Sequence, residues 1–178
     1  VADLPEAPDV AIVALAAPLL PDALDALVAR GTRSAVVFSS GFAEVGPEGV
    51  ALQADILARA QAGRMRLLGP NTLGLLNTRN NFWGTFTSTL EADFPRTGRI
   101  GIASQSGAYG AHMLAAAMGR DLGISAFVTT GNEADITTAD AIGWMAEDED
   151  TDVIVAYLEG IRSGDRLVAA LDRARSAR

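Results

Sequence analysis

Short apolar runs alternate with segments of helical period along this chain, and this alternation most constrains its fold. The first three runs, at 9–15, 34–40 and 65–69, are separated by segments at 21–31 and 47–63 that each begin with Pro and end with Gly. Pro in the first turn and Gly just past the last turn are typical of an α-helix. A strand–helix–strand order of this kind predicts parallel strands joined by right-handed crossovers.

The same alternation resumes near residue 98. Strands are predicted at 99–104, 125–130 and 152–160, each followed by a helix, at 107–123, 137–148 and 164–176. The stretch 77–97 is polar, rich in Thr and Asn and without helical period, so we predict a connection with one extended edge segment around Phe82–Phe86. We therefore expect an α/β chain of two parallel-sheet, three-layer units, at 1–76 and 98–178.

Composition agrees with such a chain and excludes several classes of function. Of the 178 residues, 49% are hydrophobic and only 20% charged, which is enough to build a core. The net charge of −8 disfavours nucleic-acid binding, because a phosphate backbone needs a basic face. There is no Cys and a single His, His112, so thiolate chemistry is excluded and no metal site is expected.

The chain has no apolar run near the roughly 20 residues of a membrane span, and no signal-like opening. We expect a cytoplasmic protein with no membrane partner. It begins with Val rather than Met and enters its first strand almost at once, so we expect a piece of a longer protein.

Small or polar residues follow five of the predicted strands, at the edge where parallel sheets bind ligands. They are Ser39-Ser40-Gly41-Phe42, Gly69-Pro70-Asn71, Ser104-Gln105-Ser106-Gly107, Gly131-Asn132-Glu133 and Glu159-Gly160. Turns favour such residues for local reasons, so a single turn does not indicate a site. The five together predict a ligand-binding edge.

The Ser-Gln-Ser-Gly turn at 104–107 leads from a predicted strand into a predicted helix. Helix N-terminal amides and the helix dipole attract anions, and Gly lets a phosphoryl group approach the backbone. The turn matches neither the Gly-x-Ser-x-Gly nucleophile elbow nor the Gly-x-Gly-x-x-Gly dinucleotide pattern. The alternative is that Ser104 or Ser106 caps the helix and nothing binds there.

Glu159 ends an apolar strand, where a carboxylate could orient an imidazole brought from elsewhere. The alternative is an ordinary solvated loop acid. His112 lies inside a predicted helix among Ala and Met residues, and we interpret it as a packed or surface residue rather than a catalytic one.

Five segments together resemble the NDP-forming acyl-CoA synthetases, the family of the ADP-forming acetate–CoA ligases, whose more distant relative is the α subunit of succinyl-CoA synthetase. The resemblance covers nearly the whole chain, and the segments agree in order and spacing. They are SSGFAEVGPEG (39–49), LLGPNTLGLLN (67–77), GRIGIASQSGAYGA (98–111), TTGNEADITTADAIGWMAEDEDT (129–151) and VIVAYLEGIRSGDRL (153–167).

The resemblance implies that 1–76 is the later part of a Rossmann-like CoA-binding domain, 77–97 a linker and 98–178 a flavodoxin-like ligase domain. It implies synthesis of acyl-CoA from a carboxylic acid, CoA and ATP, through an acyl phosphate and a phosphohistidine. ATP and its Mg²⁺ would be held outside this chain, by an ATP-grasp domain or β subunit, and we expect an oligomer.

The resemblance also implies three groups of site residues. The phosphoryl group on the histidine would be cradled by Ser104, Gln105, Ser106 and Gly107, with Asn132 on a neighbouring loop. Glu159 would steady that histidine. The thiol end of CoA would lie near Ser40, Gly41, Phe42, Gly69, Pro70 and Asn71.

Two family features have no counterpart here. The first strand and glycine-rich turn that hold the nucleotide end of CoA would precede residue 1, and the Ser-His-Thr-Gly type loop with the phosphorylated histidine would lie downstream. His112 does not match that histidine. We therefore expect an internal piece that does not turn over alone. Two alternatives remain open: a non-catalytic module that senses acyl-CoA or nucleotide, for instance fused to an acyltransferase, and a generic phosphate-binding α/β domain.

Overall fold

The computed structural model describes residues 1, 3–91 and 93–177; Arg178, the last residue of the predicted second unit, lies outside the described residues. The main elements are β1 Val10–Val13, α1 Leu20–Arg30, β2 Ser34–Val37, α2 Pro47–Ala62, β3 Arg66–Leu68, β4 Gly74–Asn77, β5 Phe82–Thr85, β6 Thr97–Ser104, α3 Gly107–Met118, β7 Ile124–Thr129, α4 Thr138–Glu147, β8 Val153–Tyr157 and α5 Gly164–Ser176. Within the described part of the chain, no helix combines the length and apolarity needed to cross a membrane.

Contacts divide the chain into two compact units. The first unit contains Val1–Thr72 and Gly131–Ile136, and the second contains Leu73–Thr130 and the residues from Thr137 onward. The sequence predicted one uninterrupted stretch for each unit. The structure differs in that a short segment, 131–136, belongs to the first unit although both of its neighbours in the chain belong to the second.

The first unit is built on a parallel sheet in the order β1-β2-β3, as the strand–helix–strand pattern predicts. Helices α1 and α2 pack on the same face of this sheet, in one core with Val13, Ala35 and Val37. Val10 and Ile12 point to the opposite face, since side chains alternate along a strand, and they are 38% and 49% exposed. Within the described residues of this unit, the helices therefore form a single layer.

Segment 131–136 runs antiparallel alongside β3. Its backbone amides at Asn132, Ala134 and Ile136 donate to the carbonyl oxygens of Pro70, Gly69 and Leu67, at 2.9, 3.0 and 3.1 Å. The Asp135 carboxylate accepts from the Leu67 amide at 2.9 Å and pairs with Arg66 at 2.7 Å. The segment thus supplies hydrogen-bond partners to the edge of β3 and to the loop that follows it. The local sequence of 131–136 does not indicate this role.

The second unit contains a mixed five-stranded sheet in the order β5-β4-β7-β6-β8. Strands β6, β7 and β8 are parallel, as predicted, whereas β4 pairs antiparallel with both β5 and β7. The predicted extended segment around Phe82–Phe86 is strand β5. The stretch 77–97 was predicted to connect two units, but β5 pairs within the sheet of the second unit. Strand β4 was not predicted, because only two of its four residues, Leu75 and Leu76, are apolar and it begins with Gly.

Helices cover both faces of the second sheet. Ile102 packs with Leu114 of α3 and Phe127 on one face. On the other face a Cβ at Gly101 would lie 2.8 Å from the Met145 sulfur, which shows how closely α4 approaches β6. Helix α5 packs against α4, with Ala170 fully buried. This three-layer arrangement confirms the predicted α/β class.

Candidate functional site

The Ser104–Gly107 turn joins the end of β6 to the start of α3. Ser106 caps α3, because its Oγ accepts from the Tyr109 amide at 3.4 Å. Ser104 is fully buried, and its Oγ donates to the Ser106 carbonyl oxygen at 2.6 Å. The first amides of a helix have no intrahelical partner, and this cap serves the one at Tyr109. The amides of Gly107 and Ala108 are therefore the donors that this helix can offer an anion.

The Gln105 side chain connects this turn to the loop that carries Glu159. Its Oε1 accepts from the Glu159 amide at 2.8 Å and from the Gly160 amide at 2.9 Å. The Gln105 backbone amide donates to the Tyr157 carbonyl oxygen at 2.9 Å. The structure thus places the backbone of Glu159 next to the turn, while their joint action on a ligand stays a prediction.

Strand register explains why these two loops meet. Strands β6 and β8 are parallel neighbours in which Ser104 lies opposite Tyr157, so both strands end at the same level. The residues that follow, at 105–107 and 158–160, therefore leave the sheet side by side. Glu159 is exposed, so its carboxylate is accessible to a group brought from outside.

A pair of tyrosines flanks this edge and escaped sequence reasoning. The rings of Tyr109 and Tyr157 stack with centroids 4.1 Å apart and planes 10° apart. His112 meets the Tyr109 ring edge-on at 6.1 Å and is exposed on the surface of α3. The sequence carried a signal for this pair: Tyr157 ends β8, which pairs with β6, and Tyr109 lies in the first turn of α3, the helix that follows β6.

The chemistry of this edge suits a charged pair rather than a bare anion alone. Helix amides and the helix dipole favour a negative group at the start of α3. A carboxylate beside them would repel that group, but it favours an imidazole in its protonated, hydrogen-bonded form. The start of α3 therefore suits an anion, and the side chain of Glu159 suits a cation or a hydrogen-bond donor.

In the first unit, the loops after β2 and β3 also meet. The Asn71 amide donates to the Ser39 carbonyl oxygen at 2.8 Å, and Ser40 is exposed beside it. Gly41 has a φ of 101°, which favours glycine, and Gly69–Pro70 is a cis peptide. The structure therefore groups the residues predicted to lie near the CoA thiol.

Phe42 requires a correction. It was predicted as a CoA contact, but its side chain is fully buried in the core of the first unit. The ring anchors the loop, and the Phe42 backbone is engaged as well, since its amide donates to Glu44 and its carbonyl oxygen accepts from the Val45 amide.

Asn132, which the resemblance groups with the phosphate-binding residues, makes side-chain contacts in the first unit. Its Nδ2 donates to Gln53 Oε1 at 3.0 Å and to Glu44 Oε2 at 2.5 Å, and its Oδ1 accepts from Asn71 Nδ2 at 3.3 Å. All of these partners belong to the first unit. The structure therefore places Asn132 with the predicted CoA loops.

Glu44 and Gln53 are site residues that sequence reasoning missed. Partial burial raises the pKa of Glu44, but hydrogen bonds from the Asn132 side chain and the Gly41 and Phe42 amides outweigh it, so the pKa lies below its ordinary value. The signal in the sequence was an acid three residues after the glycine of the Ser-Ser-Gly-Phe turn. Among the described residues, no group of three or more His, Asp or Glu side chains is arranged to hold a metal ion.

Comparison with known proteins agrees with both units. Residues 1–78 match the CoA binding domain model, and residues 97–178 match the model described as succinyl-CoA ligase like flavodoxin domain. The chain is 33% identical, over 168 residues, to the acetate–CoA ligase [ADP-forming] I subunit alpha of Pyrococcus furiosus, covering 94% of this chain and 36% of that protein. The chain thus carries the two domains that these models describe, in the order that the resemblance to the NDP-forming acyl-CoA synthetases predicts. The resemblance seen in the sequence is thereby confirmed.

Two further relatives show the same relationship. Trans-feruloyl-CoA synthase FCS1, from an unknown prokaryotic organism, is 40% identical over 178 residues, which is 99% of this chain and 25% of that protein. The apo dinucleotide-forming acetyl-coenzyme A synthetase 1 of Ca. Korarchaeum cryptofilum superposes with a TM-score of 0.89 at 33% identity, covering 98% of this chain and 37% of the other. The chain thus spans about a quarter to a third of the length of these relatives.

Proposed function

We propose that this chain forms the CoA-binding and first ligase portions of an acid–CoA ligase that makes acyl-CoA from a carboxylic acid, CoA and ATP. The observation that carries the proposal is the Gln105 side chain, which joins the anion-binding turn of α3 to the loop bearing Glu159. The names of the relatives, which are synthases or ligases of acyl-CoA, support the same reaction.

In the second unit, the proposed role is to hold a phosphorylated histidine supplied by another segment. ATP phosphorylates the imidazole, the phosphoryl group passes to the acid to give an acyl phosphate, and the CoA thiol displaces phosphate from it. The amides of Gly107 and Ala108 would bind the phosphoryl oxygens without any basic side chain. Glu159 would orient the ring and favour its charged form.

In the first unit, the loops at 40–42 and 69–71 would receive the thiol end of CoA. The Gly41, Phe42 and Asn71 amides already donate within the protein, so the exposed hydroxyl of Ser40 is the proposed polar contact, which suits the neutral pantetheine arm better than the CoA phosphates. ATP with its Mg²⁺ would bind in an ATP-grasp domain or a β subunit, and the relative described as a subunit alpha supports such a partner. We place the reaction in the cytoplasm, where CoA and ATP are available, in an oligomeric enzyme.

The test is an assay of the full-length protein that carries this chain, with ATP or GTP, CoA and a panel of acids that includes acetate and ferulate. We expect acyl-CoA to accumulate together with nucleoside diphosphate and phosphate for at least one acid. A protein that binds acyl-CoA but converts none of the acids would contradict the ligase proposal and support the sensing alternative. Omitting CoA separates the phosphorylation of histidine from acyl transfer.

A further inference from the structure

The backbone of the loop after β2 is held in place by the carboxylate of Glu44. Its Oε1 accepts from the Gly41 amide at 2.5 Å, and both oxygens lie 3.2 Å from the Phe42 amide. Phe42 is pinned from the other side by its buried ring. The conformation of this loop therefore depends on one ionised side chain and one core anchor.

Gln53 of α2 continues the same arrangement. It is buried, and its Oε1 accepts from the Ala43 amide at 3.3 Å and from Asn132 Nδ2 at 3.0 Å. A Cβ at Gly49 would lie 1.8 Å from the Phe42 carbonyl oxygen, so α2 approaches the loop at backbone distance. Three successive amides, at 41, 42 and 43, are thus bound by two side chains.

Asn132 extends the network from this loop to the loop after β3. Its Nδ2 is shared between Glu44 and Gln53, its Oδ1 accepts from Asn71, and its own amide donates to Pro70. A hydrogen-bond network in which each member is satisfied fixes the relative positions of its parts. Both loops predicted to receive the thiol end of CoA are therefore fixed with respect to Glu44.

We propose that Glu44 is a positioning residue for the pantetheine end of CoA, acting through the Gly41–Phe42 backbone and through Asn132. This inference rests on the proposed function of the two loops. The charge of Glu44 agrees with it, since a carboxylate would repel the CoA phosphates but is compatible with the neutral pantetheine arm.

The kinetic test compares the full-length enzyme with its Glu44→Gln and Glu44→Asp variants. A glutamine has only one acceptor oxygen, so either the Gly41 amide or Asn132 Nδ2 would face another N–H donor, and we expect KM for CoA to rise about tenfold. The Asp variant, which keeps the charge, should recover part of that loss. Phosphorylation of histidine by ATP should be unchanged, because that step does not use CoA. Glu48→Gln is the matched control, since Glu48 is an exposed acid four residues further along.

Some outcomes would overturn the proposal. An unchanged KM for CoA in Glu44→Gln would do so. A parallel fall of CoA turnover and of histidine phosphorylation would also do so, because it would indicate a merely structural role for Glu44. If Glu44→Gln does not fold, Asn132→Ala provides the same comparison, because it breaks the link between the loops and leaves the amide contacts of Glu44 intact.

A binding experiment separates this proposal from the ligase assignment. In the wild-type protein, pantetheine should shift the NMR signals of the Gly41 and Phe42 amides, and the shift should be lost or need about tenfold more ligand in Glu44→Gln. If this holds while no acid is converted to acyl-CoA, the positioning role stands and the proposed reaction falls. Absence of any pantetheine effect in the wild type would overturn the positioning role itself.

Discussion

Gln105 Oε1 lies 2.8 Å from the backbone nitrogen of Glu159 and accepts its hydrogen bond. The same oxygen accepts from Gly160, so this end of the side chain is directed at the Glu159 loop. The sequence suggested that Gln105 contacts phosphate directly. The structure adds a positioning role, in which Gln105 Oε1 sets the place of the Glu159 backbone relative to the helix start, and contact of Gln105 with phosphate stays a prediction.

Replacing Gln105 by Leu should lower the yield of phosphohistidine, because the loop carrying Glu159 loses the acceptor of two amides. We expect a fall of about tenfold, the equivalent of one or two hydrogen bonds. Gln105→Glu keeps the acceptor and should retain more activity than the Leu variant. Labelled ATP measures the yield, and Gln61→Leu, at an exposed site on α2, serves as control. If Glu inactivates more than Leu, Gln105 acts as a phosphate donor instead.

Glu159→Gln should also reduce phosphorylation of the histidine in the full-length enzyme. The amide keeps the shape of the side chain but removes the charge that favours a protonated imidazole. A loss of at least tenfold in phosphoenzyme yield is expected, while Glu149→Gln, another exposed acid, should behave as wild type. An equal yield in Glu159→Gln would remove this carboxylate from the mechanism.

Inorganic phosphate should bind at the start of α3. The expected signature is a shift of the Gly107 and Ala108 amide signals on titration, or phosphate density there in crystals. Ser106→Ala removes the cap at Tyr109, which should destabilise the protein by about 1 kcal/mol and leave phosphate binding intact. If the Ser106 cap were the whole purpose of this turn, phosphate would shift neither amide in either protein.

The second unit should lose stability in acid, because the stabilising contribution of the Asp140 carboxylate is lost there. Partial burial raises the pKa of Asp140, but hydrogen bonds from Thr137 and the charge of Arg166 outweigh it, so the pKa lies below its ordinary value. A carboxyl group with a lowered pKa stabilises the fold above its unfolded-state pKa, and this contribution is lost as pH falls through the folded-state value.

Asp140→Asn weakens the capping box of α4 and the ion pair with Arg166, so we expect a loss of about 1 kcal/mol at pH 7. Urea unfolding at pH 7 and pH 3 measures it, and the difference from wild type should shrink at pH 3. Asp172→Asn, in an exposed i,i+3 pair, is the control. A difference independent of pH would show that the charge of Asp140 contributes nothing.

Gly131→Ala should destabilise the first unit. Gly131 has a φ of 58°, and a Cβ there would lie 2.4 Å from the carbonyl oxygens of Pro70 and Asn71. We expect a loss of about 1–3 kcal/mol, seen as a lower melting temperature. Gly164→Ala, where a Cβ would meet nothing within 4 Å, should have little effect. Equal melting temperatures for the two variants would contradict the close approach.

The sequence predicts those features that depend on local periodicity. Helices α1 and α2 lie within two residues of their predicted bounds, because Pro and Gly mark their ends. Strand β4 and segment 131–136 were not predicted, since β4 has only two apolar residues and the segment is a loop whose hydrogen-bond partners are distant in the chain. Side-chain contacts between distant residues are equally hard to predict from sequence. The resemblance indicated Gln105 as a site residue, but it did not indicate which atoms Gln105 contacts.

The return of residues 131–136 to the edge of β3 affects how this protein can be recombined. A chimera with a single crossover near residue 72 would pair a β3 from one parent with the edge segment of another. The paired residues Arg66 and Asp135, and likewise Asn71 and Asn132, would then come from different parent proteins. Swaps that exchange both stretches together should yield soluble, folded hybrids more often than swaps that exchange either one alone.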